Sequence, residues 1–297
     1  MPHPARSMNR VDAIGIKALL RSTAAAPRRT LWRLLMLAAL LPVSAQAGFD
    51  HSHAAWTASL SAQVVPMSGG SASQARYAGF QQDRPALKAC LDTLSAVPRA
   101  EFAAWGPPQR MAFLINAYNA YTVELILSRY PDLQSIKDLG NLLQSPWKKK
   151  FFQLLGEPMS LENVEQDTLR KRGAYDDPRI HFAVKCASIG CPMLREEAFV
   201  AERIDAQLDD QAAERFMSDR SRNRYNAATG RLEVLKIFDW YADDFKRGHK
   251  GIVSALAFYA RCAVRLSDVP TGQEEIRAQN ASVSYLDHDL RLDDVRR

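Results

Sequence analysis

Once its first 47 residues are set aside, this sequence has almost no net charge. The full 297 residues carry 39 Lys and Arg against 33 Asp and Glu, but seven of those bases and one acid lie in residues 1–47, so 32 of each remain. A chain without a basic surplus lacks the electrostatic footprint of a nucleic-acid binder, and no nucleic-acid partner is expected. Lys148-Lys149-Lys150 is a basic run and reads as a solvated loop. Long apolar runs are missing too. The stretch Leu34 to Leu41 falls far short of the ~20 residues that span a bilayer, and no later stretch reaches that length without a charge. There is no internal repeat, histidine is limited to six residues and cysteine to four, and no cofactor is expected.

Residues 1–47 have the order of an export leader. A basic approach (Arg28, Arg29, Arg33) precedes the apolar run, and Ala45-Gln46-Ala47 is a small-residue cleavage signal. Pro27 and Trp32 fit a twin-arginine signal poorly, so general secretion is the reading, with Met8 as an alternative start. The mature chain is then a soluble periplasmic or secreted protein: an N-terminal extension over 48–74, then one globular domain over 75–297. In an oxidising compartment Cys90, Cys186, Cys191 and Cys262 allow three complete pairings. His51-Ser52-His53 offers two metal-ligand types without a third and reads as a frayed terminus.

Along the domain, Leu87, Cys90, Leu91 and Leu94 give Arg84 to Val97 helical spacing. Gln109 to Tyr130 is apolar almost all round, the pattern of a central buried helix stopped by Pro131. Inside it Asn116 and Asn119, three apart, share a face and need partners. They are either a polar cleft wall or ties to neighbouring backbone. Phe151 to Leu161 reads as a hairpin around Gly156-Glu157, and Ser160 caps a helix to about Arg172 that carries Glu165. Glu196 to Ser218 reads as an amphipathic helix, Arg222 to Ile237 as a second hairpin, Ile252 to Leu266 as a final buried helix, and Tyr285 to Asp289 as an edge strand. Helices and hairpins without strict βαβ alternation argue for an α+β fold.

The stretch Arg179 to Pro192 concentrates the chemistry. Read as a strand, Ile180 to Lys185 puts His181 opposite Cys186, so a dyad between them needs a bend. Pro192 at a first helical position would make Cys191 an N-cap, where a thiol pKa is lowered. Four readings stay open: a local Cys186–Cys191 disulfide, inert core thiols, a reactive thiol assisted by His181, and zinc without an obvious fourth ligand.

Four stretches resemble the uncharacterised family known as domain of unknown function 547. They are Phe113-Leu114-Ile115-Asn116-Ala117-Tyr118-Asn119-Ala120, Asp177 to Cys186 with Cys191-Pro192, Ile237 to Tyr241 with Asp244-Phe245, and Tyr285-Leu286-Asp287-His288-Asp289. Leu114, Gln166, Met193 and Leu290 depart from the pattern, and Gln166 stands where a Glu-His run would place histidine. The resemblance implies a globular domain, often exported in bacteria, and no established activity. Papain- or transglutaminase-type scaffolds are similar by fold-level analogy alone. The leading expectation is a cleft of Asn116, Asn119, Glu165, His181 and Cys186, with Cys191 as alternate nucleophile, serving a thiol-dependent hydrolase or acyl transferase. Its rival is a non-catalytic binding domain with a structural disulfide, taking a small-molecule or peptide ligand.

Overall fold

The computed structural model describes residues 48–141 and 144–295; the leader expected over 1–47 lies outside them. Helices α1 (Ala54–Gln63), α2 (Tyr77–Gln82), α3 (Arg84–Ala96) and α4 (Arg99–Ala104), with the hairpin β1 (Val64–Met67) and β2 (Ala72–Ala75), precede α5 (Pro107–Leu127). Proline fits the first turn of α5, where its missing N–H is no loss, and the Gln109 side chain accepts the Gly106 N–H at 3.0 Å. From Met111 to Leu127 every residue except Glu124 is buried. α3 turns Leu87, Cys90, Leu91 and Leu94 into the same core. Trp56, Leu60 and Val64 join them, so the segment expected as an extension is packed against the domain. His53 is 6% exposed and is not part of a frayed end.

The expected hairpin is β3 (Phe152–Leu154) with β4 (Glu157–Met159), turning through Leu155 and Gly156 at φ 55° and 80°. The Ser160 hydroxyl then accepts the Asn163 N–H at 3.1 Å. The helix that follows is π-wound over Asn163–Leu169 and ends short of Arg172.

Two expectations fail in the next stretch. Ile180 to Lys185 is not a strand but a helical turn, α6 (Ile180–Ala183). Asp177 Oδ1 accepts the Arg179 N–H at 3.0 Å, which starts a turn. The turn buries all four residues, where a strand would commit only alternate ones. Nor does Cys191 cap a helix. Arg222 donates to the Ile189 and Cys191 carbonyls at 2.6 and 2.9 Å, and Gln211 to the Met193 carbonyl at 2.7 Å. Side chains thus occupy carbonyls that a helix would use.

Helical winding resumes only at Ala201. It runs through α7 (Ile204–Asp209) and a π-wound piece to Ser218, burying Ile204, Leu208, Ala212 and Phe216. β5 (Arg224–Asn226) and β6 (Arg231–Leu235) form the second hairpin, followed by α8 (Ile237–Trp240). The expected last helix is split at Cys262 into α9 (Ala255–Arg261) and α10 (Ala263–Leu266). α11 (Pro270–Arg277), unforeseen, leads to β7 (Ser282–Leu286), which pairs parallel to β6 at the sheet edge. The fold is α+β, with two two-stranded sheets and one three-stranded sheet among the described residues. A second core gathers Phe182, Phe216, Phe238, Phe245 and Phe258, while Ile180 and Ala183 belong to the first. The turn α6 therefore sits where the two cores meet. Among the described residues no helix is long and apolar enough to cross a membrane.

Candidate functional site

The loop after α6 is fixed from beneath by a buried ion pair. Lys185 Nζ lies 2.8 Å from Asp293 Oδ2 and donates to the Ser188 carbonyl at 3.0 Å. Tyr77 donates to Asp293 Oδ1 at 2.8 Å. Burial lowers the Lys185 pKa against the opposing pull of Asp293. On this base Cys186 and Cys191 are paired as a disulfide, with Cα atoms 6.0 Å apart.

The segment after β7 runs back along that loop. Ile189 N–H donates to the Arg291 carbonyl at 2.9 Å and Gly190 N–H to the Asp289 carbonyl at 2.8 Å. A Cβ on Gly190 would meet Asp289 N at 2.7 Å, so the close approach requires glycine. This pairing sets His288 on the disulfide. Its Nε2 lies 3.9 Å from Cys186 Sγ, 3.7 Å from Cys191 Sγ and 3.1 Å from Ser188 Oγ. Burial, with Lys185 and Arg222 nearby, pushes the His288 pKa down to about 4, so the imidazole is neutral at pH 7.

His181 belongs to a different cluster. It is buried, its Nε2 hydrogen-bonds Asp244 Oδ2 at 2.7 Å, and its ring stacks on Tyr241 with centroids 3.7 Å apart. Its Nδ1 has no hydrogen-bond partner among the described residues. Arg170 holds the same carboxylate at 2.6 Å and Arg247 holds it at 2.6 Å. Despite its burial, the hydrogen bonds of His181 and Arg170 keep Asp244 well below the usual carboxylate range. Burial in turn lowers the His181 pKa. The Arg170 guanidinium lies 4.6 Å from the Tyr241 ring centre.

Between the two clusters opens a cleft of about 620 Å³, lined by Tyr118, Trp147, Glu165, Gln166, Trp240 and Tyr241 and by Cys186 and His288. Glu165, 6% exposed, accepts the Tyr241 hydroxyl at 2.9 Å and the Gln166 amide at 3.2 Å. Burial and the nearby Glu165 raise the Tyr118 and Tyr241 hydroxyl pKa values well above the ordinary 10.0. Trp240, half exposed, leans over the His288 ring at 5.1 Å.

Of the six residues expected at the site, Glu165 and Cys186 line this cleft. Cys191 is buried behind Cys186. Asn116 bonds the Phe199 backbone through both amide atoms, at 2.7 and 3.0 Å. Asn119 does the same with the Ala183 carbonyl and the Lys185 N–H, each at 2.9 Å. His181 faces Asp244 rather than a sulfur. The histidine beside the cysteines is His288, in the family-like motif Tyr285 to Asp289, 102 residues after Cys186. Tyr118 and Tyr241 lie in the family-like stretches Phe113 to Ala120 and Ile237 to Tyr241.

Residues 102–217 match the model of the family described as "Protein of unknown function, DUF547". No curated protein and no solved structure matches the chain.

Proposed function

We propose, for a chain whose residues 102–217 belong to the DUF547 family, that it is an exported binding domain taking a small molecule or peptide segment in the cleft around Glu165. One observation carries this reading: Cys186 and Cys191 are paired at the cleft wall. While the bond stands neither sulfur is a nucleophile, and the bridge is a rigid part of the wall. What remains facing the cleft is recognition chemistry. Aromatic rings of Tyr118, Trp147, Trp240 and Tyr241 surround a buried carboxylate, an arrangement of apolar walls with a few placed polar groups. The ligand class is an apolar or ring-bearing molecule with an ammonium or other N–H donor for Glu165. The leader-like order of residues 1–47 and a disulfide in the domain support an oxidising compartment.

The test is a ligand screen by saturation-transfer NMR on oxidised protein, using amines, amino sugars and short peptides. Binders are expected to be lost in Glu165→Gln and weakened in Trp240→Ala with the melting temperature unchanged. A binder that both variants retain would place its site elsewhere and sink the reading.

A second reading has its own observation. Once reduced, Cys186 faces the cleft with His288 Nε2 3.9 Å away; in this reading His288 takes the thiol proton as sulfur bonds to the acyl carbon of an ester, the acyl–oxygen bond breaks, the alcohol leaves with that proton, and water later hydrolyses the thioester. Reduced protein would then turn over activated esters in a burst that Cys186→Ala abolishes. No burst above the Cys186→Ala background removes this second reading.

A further inference from the structure

Apart from any ligand in the cleft, the sulfurs and His288 make a constellation of their own. The ligand atoms of Cys186, Cys191 and His288 all lie within 4.8 Å of one another. A tetrahedral zinc ion with bonds of about 2.3 Å to sulfur and about 2.0–2.1 Å to nitrogen places S and N about 3.6 Å apart. The Nε2 atom of His288 stands 3.9 and 3.7 Å from the two bridged sulfurs, close to that separation, so the imidazole is already on the sulfur side of the loop. The sulfurs must part, and with Cα atoms 6.0 Å apart they can do so by side-chain rotation.

Polar groups surround the sulfurs. Ser188 Oγ lies 3.4 Å from Cys186 Sγ and 3.1 Å from Cys191 Sγ. Lys185 and Arg222 bond the carbonyls of the same loop. Cys186 and His288 line the cleft, so a fourth coordination position would face solvent or ligand.

We propose that with the bridge reduced, Cys186, Cys191 and His288 bind one Zn²⁺ ion, three protein ligands with the fourth position open to the cleft. Reduction is by an external dithiol. Its two electrons and two protons break the S–S bond and yield two thiols, while the dithiol closes to its own disulfide. Zinc then displaces both thiol protons to solvent. Disulfide and zinc are alternative states of the same pair, and the binding reading above concerns the oxidised one.

Co²⁺ is the probe. Full-length protein is reduced with a phosphine, freed of reductant without oxygen, and titrated with Co²⁺. One equivalent is expected to raise thiolate-to-cobalt charge-transfer absorption and tetrahedral ligand-field bands, and one equivalent of Zn²⁺ to displace it. Oxidised protein is expected to show neither band. His288→Gln should weaken Co²⁺ by about tenfold or more, the loss that even an outer-shell partner of a ligand can bring. Cys186→Ser and Cys191→Ser should each diminish the charge-transfer band. No charge transfer in reduced wild type, or unchanged affinity in folded His288→Gln, overturns the proposal. X-ray absorption of the zinc-loaded wild type needs no variant: two sulfurs and one imidazole support it, and a shell lacking either kind of ligand overturns it. Ligand binding by the oxidised form is untouched by these outcomes, so the two ideas fail separately.

Discussion

Asn119 does two jobs with one side chain. Its amide nitrogen donates to the Ala183 carbonyl and its oxygen accepts the Lys185 N–H, so it stands in for the backbone partner that a strand would have supplied where α6 ends. Replacing it with alanine strands two buried backbone groups at about 1–3 kcal/mol each. Asn119→Ala is expected to lower unfolding free energy by roughly 2–6 kcal/mol in urea titrations, and a loss below about 1 kcal/mol would contradict this role. The four thiols also separate at this scale. Burial pushes Cys90 up to about 11 and Cys262 up to about 12, and both are free. After mild reduction, iodoacetamide mapping of native protein should mark Cys186 first and leave Cys90 and Cys262 unmodified. Labelling of Cys262 at a comparable rate would show that the second core is open.

Between elements, the contact that matters most is the run of residues 288–292 along 188–190. Gly190 has no room for a methyl group, so Gly190→Ala should cost about 1–3 kcal/mol, the usual range for overpacking. It should also speed hydrogen exchange at the Ile189 amide, whose partner is the Arg291 carbonyl. Unchanged exchange there would mean that the loop does not depend on this contact. The same contact marks how far the sequence could be read. α3, α5 and the hairpins β3–β4 and β5–β6 announce themselves because periodicity and turn residues are local signals, whereas β1–β2 does not. α6 does not: its four buried residues face two cores at once, and its start is set by a carboxylate two residues away. The need of Asn116 and Asn119 for partners was legible, and so was the alternative that these were backbone. The identity of the sulfur-facing histidine was not, because β7 must first pair with β6 before His288 reaches the loop.

At the scale of the molecule, acid sensitivity follows from buried neutral histidines. His53 falls from the ordinary 6.5 to about 4, mainly through burial, and burial lowers His181 too. Below pH 6.5 the unfolded chain takes up protons that these sites refuse, so stability is full above that pH and declines as pH falls from 6.5 toward 4. For His53 alone the decline is about 3 kcal/mol, on the order of 1.4 kcal/mol per unit of pKa. Asp244, held low by His181 and Arg170, keeps its contribution until lower pH. Urea midpoints at pH 7 and pH 4.5 test this, and a flat profile between them would refute it. Reduction adds a smaller penalty. The bridge spans five residues of sequence, and chain-entropy scaling for so short a loop gives about 2 kcal/mol. The loss should appear as a lower urea midpoint, and none would show that the bridge adds nothing to stability. There is also a matter of timing in the position of His288. Cys186 and Cys191 leave the ribosome almost together and can find each other with no tertiary structure, whereas their histidine is made 102 residues after Cys186. Closing the bridge therefore needs only a short local loop, whereas the three-residue cluster needs the folded chain that brings His288 back to that loop.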